Sequence, residues 1–205
     1  MKTIFLICFI SLAGLLFSNL AFAQQQKGNS NLAAGLGFAS TEMFYDFGDD
    51  MVRVLAVVGT LGYYNASIIN RSYSPTFHLN YYKAKSNELS IGLGAAYEKA
   101  TGDYQQNNQI VGNFVRHSYT LAAEGKYLYL NRRIISLYGV LGFGFTLNKQ
   151  ETQKPADWTD FFVKKQHLNW HINPIGIQVG KKVAGFAEYG FGYKGTLNAG
   201  INYRF

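Results

Sequence analysis

The feature that most constrains this chain is the way it ends. Over residues 195–205, Leu197, Ala199, Ile201, Tyr203 and Phe205 alternate with Thr196, Asn198, Gly200, Asn202 and Arg204. A period of two is the signature of a strand with one apolar and one polar face. Similar stretches recur upstream, close to the roughly nine to eleven residues that a tilted strand needs to cross a bilayer. After residue 23 no run approaches the ~18 consecutive apolar residues of a membrane helix.

Eight strands follow from that alternation. Leu32, Ala34, Leu36 and Phe38 mark the first, and Phe77, Leu79 and Tyr81 the second. Leu89–Tyr97, Tyr119–Tyr129 and Ile135–Phe145 supply the third to fifth. In the sixth, Leu168, Trp170 and Ile172 are even-numbered, whereas Ile175, Ile177 and Val179 are odd-numbered. The switch falls at Asn173-Pro174, where a β-bulge would return the apolar residues to one face. Ala187, Tyr189, Phe191 and Tyr193 mark the seventh strand, and the chain end the eighth.

The connections alternate in length. Short basic turns are expected around Lys85-Ser86-Asn87, Asn131-Arg132-Arg133 and Lys181-Lys182, and long loops over residues 41–72, 100–116 and 148–166. The last connection, at Lys194-Gly195, is short. Long loops outside and short turns with both termini in the periplasm is the outer-membrane pattern. Phe44, Phe47, Met51, Val54, Leu55 and Val58 recur at helical spacing, so residues 41–58 read as an amphipathic helix on the rim or over the lumen, with a strand as the alternative. Gly35-Leu36-Gly37, Gly92-Leu93-Gly94, Gly142-Phe143-Gly144 and Gly190-Phe191-Gly192 fall on alternate strands. Inward glycines there leave room for large side chains from the opposite wall.

What opposes the apolar face separates a membrane barrel from a soluble one. A barrel in water points its apolar residues inward. Here the other face carries Glu98, Glu124, Lys126, Glu188, Asn198, Asn202 and Arg204 among Gly and Ala. The expectation is an all-β, eight-stranded antiparallel transmembrane β-barrel with lipid-facing Leu, Ile, Phe and Tyr. Tyr127, Tyr129, Tyr189, Tyr193 and Tyr203, near strand ends, would form aromatic girdles. A mean hydropathy of −0.06 beside 16% aromatic content agrees with alternation along strands.

The first residues read as a leader. Lys2, an apolar stretch from Ile4 to Phe17 and Ala21-Phe22-Ala23 fit a cleaved signal peptide, giving a signal at 1–23 and a barrel domain at 24–205. Cys8 is the one cysteine and leaves with the leader, so disulfides and cysteine chemistry are excluded. The net charge of +7 suits anionic lipid headgroups, including lipopolysaccharide, rather than nucleic acid, which an exported chain rarely meets.

The last third resembles the small outer-membrane β-barrel family common in the Bacteroides–Flavobacterium group. The resemblance is carried by Asn173-Pro174-Ile175-Gly176, by Val179-Gly180-Lys181-Lys182, by residues 185–195 and by the ending Asn202-Tyr203-Arg204-Phe205. Lys126-Tyr127-Leu128-Tyr129-Leu130-Asn131-Arg132-Arg133 is also similar. The resemblance implies a fold and an address: Tyr203 and Phe205 would form the sorting signal read by the barrel-assembly machinery. The family carries no general activity.

Chemistry in the chain is sparse. His167 and His171 sit about 13 Å apart on a strand, too far to share an ion. His117 and Ser118 are adjacent and so face opposite sides, which disfavours a hydrolytic set with Glu98 or Glu124. No catalytic, metal or cofactor residue is expected. Glu124, Lys126, Glu188 and Arg204 are expected to form structural charge pairs in the lumen, with Glu188 and Arg204 on adjacent strands. The functional expectation is a non-enzymatic structural or surface-interaction barrel; a lipid-modifying hydrolase and a narrow channel are the alternatives. Lys149, Lys154, Lys164, Lys165, Trp158, Phe161 and Phe162 make the third loop basic and aromatic, a surface suited to lipopolysaccharide phosphates.

Overall fold

The computed structural model describes residues 25–59, 66–106, 109–153 and 166–205. The leader and most of the third loop lie outside the described residues. The strands are β1 (Ser30–Phe38), β2 (Ala66–Tyr73), β3 (Thr76–Ala84), β4 (Leu89–Gln106), β5 (Gln109–Asn131), β6 (Ile135–Gln153), β7 (Gln166–Gly180), β8 (Val183–Gly192) and β9 (Leu197–Arg204), with one helix, α1 (Thr41–Gly59). β2 and β3 both pair with β4, at its outer and inner portions, so they act as one strand bent at Ser74-Pro75. The ladder carries on through the bend, where Ser74 N–H donates to the Lys99 carbonyl at 2.8 Å. Counted that way the barrel has eight antiparallel strands, and the β4–β5 pairing closes it. Over the inner portion, from β3 round to β4 and β5, closure leaves no unpaired edge, which hydrocarbon would not tolerate.

The burial pattern is inside out for a soluble protein. Leu93, Leu121, Leu141, Phe143, Leu168 and Ile201 all stand about three-fifths exposed on the outer face. Asn80, Ser90, Glu124, Lys126, Asn169 and Asn202 are buried inside. β7 and β8 shift register between Ile172 and Ile175, which keeps both apolar sets outward across Pro174.

The short turns fall at residues 85–88, 132–134 and 181–182, as the sequence predicts. Gln25, the first described residue, and Phe205 lie on that side. Phe205 and Ser30 exchange backbone hydrogen bonds, and Gln25 donates to the Asn131 side chain while its carbonyl accepts from it. The opposite rim is uneven. β4, β5 and β6 have 18, 23 and 19 residues, whereas β1, β8 and β9 have 9, 10 and 8. Strands of the first group overshoot any bilayer and form a tall wall.

Several expectations need correction here. Residues 66–72 and 148–153, expected in loops, are strand in β2 and β6. Residues 100–116 are not a long loop: β4 runs to Gln106 and β5 starts at Gln109, with Ala100, Tyr104 and Phe114 directed inward and buried. Tyr193 is not a girdle residue. Gly192, at φ 147°, ends β8 and turns the chain inward, leaving Tyr193 buried. Tyr127, Tyr129, Tyr189 and Tyr203 do face outward.

Candidate functional site

The interior is a stack of polar contacts running from the short-turn end to the open rim. Near the base, Arg204 Nε donates to Asn31 Oδ1 at 3.3 Å. Above it, Lys126 Nζ donates to Gln178 at 3.1 Å and lies 3.7 Å from the centre of the Tyr138 ring. The Tyr138 hydroxyl in turn donates to Glu188 at 2.9 Å.

At mid-height the stack tightens around Glu124. Lys194 Nζ meets its carboxylate at 2.9 Å with both side chains fully buried. The Tyr82 and Tyr193 hydroxyls donate to the two carboxylate oxygens. Lys194 and Tyr193 belong to the β8–β9 connection, which dips into the lumen from the low rim; Gly195 N–H closes that turn on the Gly192 carbonyl at 3.0 Å. Glu124 and Tyr82 come from β5 and β3 across the barrel. A Cβ on Gly94 would collide with the Glu124 carboxylate, and one on Gly142 with the Tyr193 hydroxyl. The glycine repeats therefore make the space that this cluster fills.

The sequence picked the anion of this centre but not its cation. The expected lumen charges were Glu124, Lys126, Glu188 and Arg204; the cation that meets Glu124 is Lys194, which was not among them. A basic residue in a short turn carries no sign that it folds back into the interior. The nearest signal is its placement between Gly192 and Gly195, which frees the chain to turn there.

The mouth holds a second polar set, organised by α1. Positive φ at Ala39 (57°) swings the chain off β1, and Thr196 Oγ1 donates to the Ala39 carbonyl at 3.0 Å. Ser40 donates to Glu98 at 2.5 Å and Thr41 to Asn169 at 2.9 Å, so the first turn plugs into the wall. Glu42 contacts His167 at 2.8 Å and accepts from Asn148 at 3.0 Å. One turn on, Asp46 is clamped by the two terminal nitrogens of the Arg116 guanidinium and by the Tyr73 hydroxyl at 2.7 Å. Asp50 meets Arg71 at 2.8 Å. Burial acts to raise the Asp46 carboxyl, but Arg116 and Tyr73 more than offset it and hold it below its usual value. For Asp50 burial outweighs the pull of Arg71, and the carboxyl is raised.

The hydrolytic candidates do not assemble. Ser118 and Glu98 are buried on the inner face, whereas His117 accompanies Tyr97 on the outer one, with Nδ1 2.9 Å from the Tyr97 hydroxyl. Glu98 is held by Ser40. His167 is taken by Glu42, and His171 lies deeper against the Tyr193 ring, 5.4 Å between centres. Among the described residues no group of three His, Cys, Asp or Glu is placed so that it could hold a metal ion.

No family model matches the chain, and no curated protein matches it. The Bacteroides–Flavobacterium grouping thus gains no support. Solved structures similar to it include the outer membrane protein OprG from Pseudomonas aeruginosa, 9% identical over 90% of this chain and 99% of that one, with a TM-score of 0.49. Another is Ail, the attachment invasion locus protein of Yersinia pestis, in complex with the heparin analogue sucrose octasulfate. It is 14% identical over 88% of this chain and 100% of that one, with a TM-score of 0.41.

Proposed function

We propose that this chain is an integral, non-enzymatic barrel of a bacterial outer membrane, exported by a leader at 1–23 that is cleaved to release a barrel domain at 24–205. Its role is structural or surface-interacting. The observation that carries this reading is the Glu124–Lys194 contact, closed over by Tyr82 and Tyr193, inside a wall whose outer face is apolar. A fully buried pair with two tyrosines closed over it fills the middle of a narrow lumen, which argues against the channel alternative. The separation of His117 from Ser118 argues against the hydrolase.

Lipopolysaccharide is the partner best supported by the outer face. Tyr97, Tyr119 and Leu147 are in register across β4, β5 and β6, and Lys99, His117 and Lys149 form the next outward row. An aromatic row followed by a basic one fits the passage from acyl chains to headgroup phosphates. Tyr203 and Phe205, with stacked rings 5.6 Å apart at the chain end, are the assembly signal in this reading.

Planar-bilayer recording on the reconstituted full chain tests the sealed interior. No conductance steps are expected, and discrete steps would replace this reading with the channel. Lipid A and phospholipid are expected to survive incubation with the protein unchanged. Turnover that S118A or H117A abolishes would instead establish the enzyme.

A further inference from the structure

The polarity of α1 runs opposite to that of a helix packed on a soluble core. Glu42, Asp46 and Asp50 face the inner side of the tall wall, where Asn148, His167, Arg116 and Arg71 receive them. The outward side presents Phe44, Phe47, Met51, Val54, Leu55 and Val58, each between 45% and 68% exposed. No Lys, Arg, Asp or Glu interrupts that side.

The apolar side is continuous with the lipid-facing surface of the barrel. The Phe44 ring lies 4.7 Å from Phe191, and Phe191 lies 5.3 Å from Trp170, which is two-fifths exposed on the outside of β7. Phe191 shares the outward face of β8 with Tyr189. The strands on this side, β8, β9 and β1, are the short ones, so α1 stands above the low rim where the wall is missing. Nineteen residues span roughly 28 Å, close to the ~30 Å by which β4 and β5 rise beyond Tyr97 and Tyr119.

We propose that the outward side of α1 is a membrane contact: the acyl chains of the outer leaflet rise along it, and the helix completes the lipid-facing wall above β8, β9 and β1. This rests on the membrane reading above. The occupant follows from continuity, since Trp170, Phe191 and Phe44 join one apolar surface, and from the missing cations, since a face lying among anionic headgroups would carry Lys or Arg as the row at Lys99 and Lys149 does.

Single-cysteine labelling tests it, because Cys8 in the leader is the chain's one cysteine and the unsubstituted protein gives the background. F47C, M51C and L55C are each labelled with an environment-sensitive fluorophore in the full chain, reconstituted in vesicles with brominated acyl chains. L93C on the belt and K149C on the tall wall serve as controls. Blue-shifted emission with at least about half the bromine quenching seen for L93C is expected at all three helix positions, and water-like emission at K149C. Unquenched, water-like emission on the helix with L93C quenched would overturn the helix contact alone. Unquenched helix labels that cross-link between copies would overturn it in favour of a dimer face. An unquenched L93C would instead overturn the membrane reading itself.

Discussion

Lys194 and Glu124, 70 residues apart in sequence, meet 2.9 Å apart in the middle of the barrel with neither side chain reaching solvent. Removing one partner strands the other charge, a change that typically costs about 3–5 kcal/mol for a buried pair. K194M is therefore expected to lower stability by several kcal/mol in urea unfolding followed through the heat-modifiable gel shift of the folded barrel. K194M/E124Q, which removes both charges, is expected to recover much of that loss. A loss in K194M/E124Q equal to the sum of the losses in K194M and in E124Q alone would show that the pair is not coupled.

The glycines opposite this cluster give a second test. A side chain at Gly94 must displace Glu124, and one at Gly142 must displace Tyr193. G94V and G142V are each expected to destabilise the barrel by about 1–3 kcal/mol through overpacking. G185V is the control, since a Cβ there meets nothing within 4 Å and Gly185 faces outward. Unfolding midpoints for the three variants check the contrast.

These residues also show what the sequence could and could not convey. Alternation placed the belt, the short turns and the bulge at Asn173-Pro174, because a period of two and a proline that cannot donate act locally. The helix at residues 41–59 was visible from spacing, and the structure decides it against a strand. Its orientation was not visible, since an amphipathic pattern says which residues share a face but not whether lipid or protein covers that face. Glu124 was identified as a lumen charge, but its partner depends on a connection folding inward, a long-range event with no local signature. The extension of β4 and β5 was missed for a related reason. Beyond Tyr97 and Tyr119 the outward face turns polar at Lys99, Asp103, Gln105, Asn113 and His117 while Ala100, Tyr104 and Phe114 are buried inside, so the apolar-outward alternation that marks a spanning segment stops while the pairing continues to Gln106 and Gln109.

Asp46 sets the acid response of α1. Its carboxyl is held below the ordinary value of 3.8, with burial opposing and Arg116 and Tyr73 prevailing. A lowered carboxylate stabilises the docked helix fully above the ordinary carboxylate range and loses that contribution as pH falls through the lowered value. Hydrogen-exchange protection of α1 attributable to Asp46 is therefore expected to hold constant from about pH 7 to 5 and to fall only in stronger acid. D46N is expected to lose roughly 1.5–3 kcal/mol of protection already at neutral pH, leaving Arg116 without its anion. Comparing the two proteins at each pH isolates the contribution of Asp46.

Phe205 separates assembly from stability. Its side chain is 58% exposed on the outer face and stacks on Tyr203, while the strand that holds it is already fixed by backbone exchange between Phe205 and Ser30. Truncating an exposed ring at a strand end removes little packing, so F205S is expected to shift the refolding midpoint in detergent by less than about 0.5 kcal/mol. If the terminal aromatic is what the assembly machinery reads, the same variant should accumulate several-fold less in the outer membrane of cells while its purified form refolds normally. Fractionation and detergent refolding of one variant thus distinguish the two roles: parallel losses would assign Phe205 to the fold, and normal membrane levels would remove it from the signal.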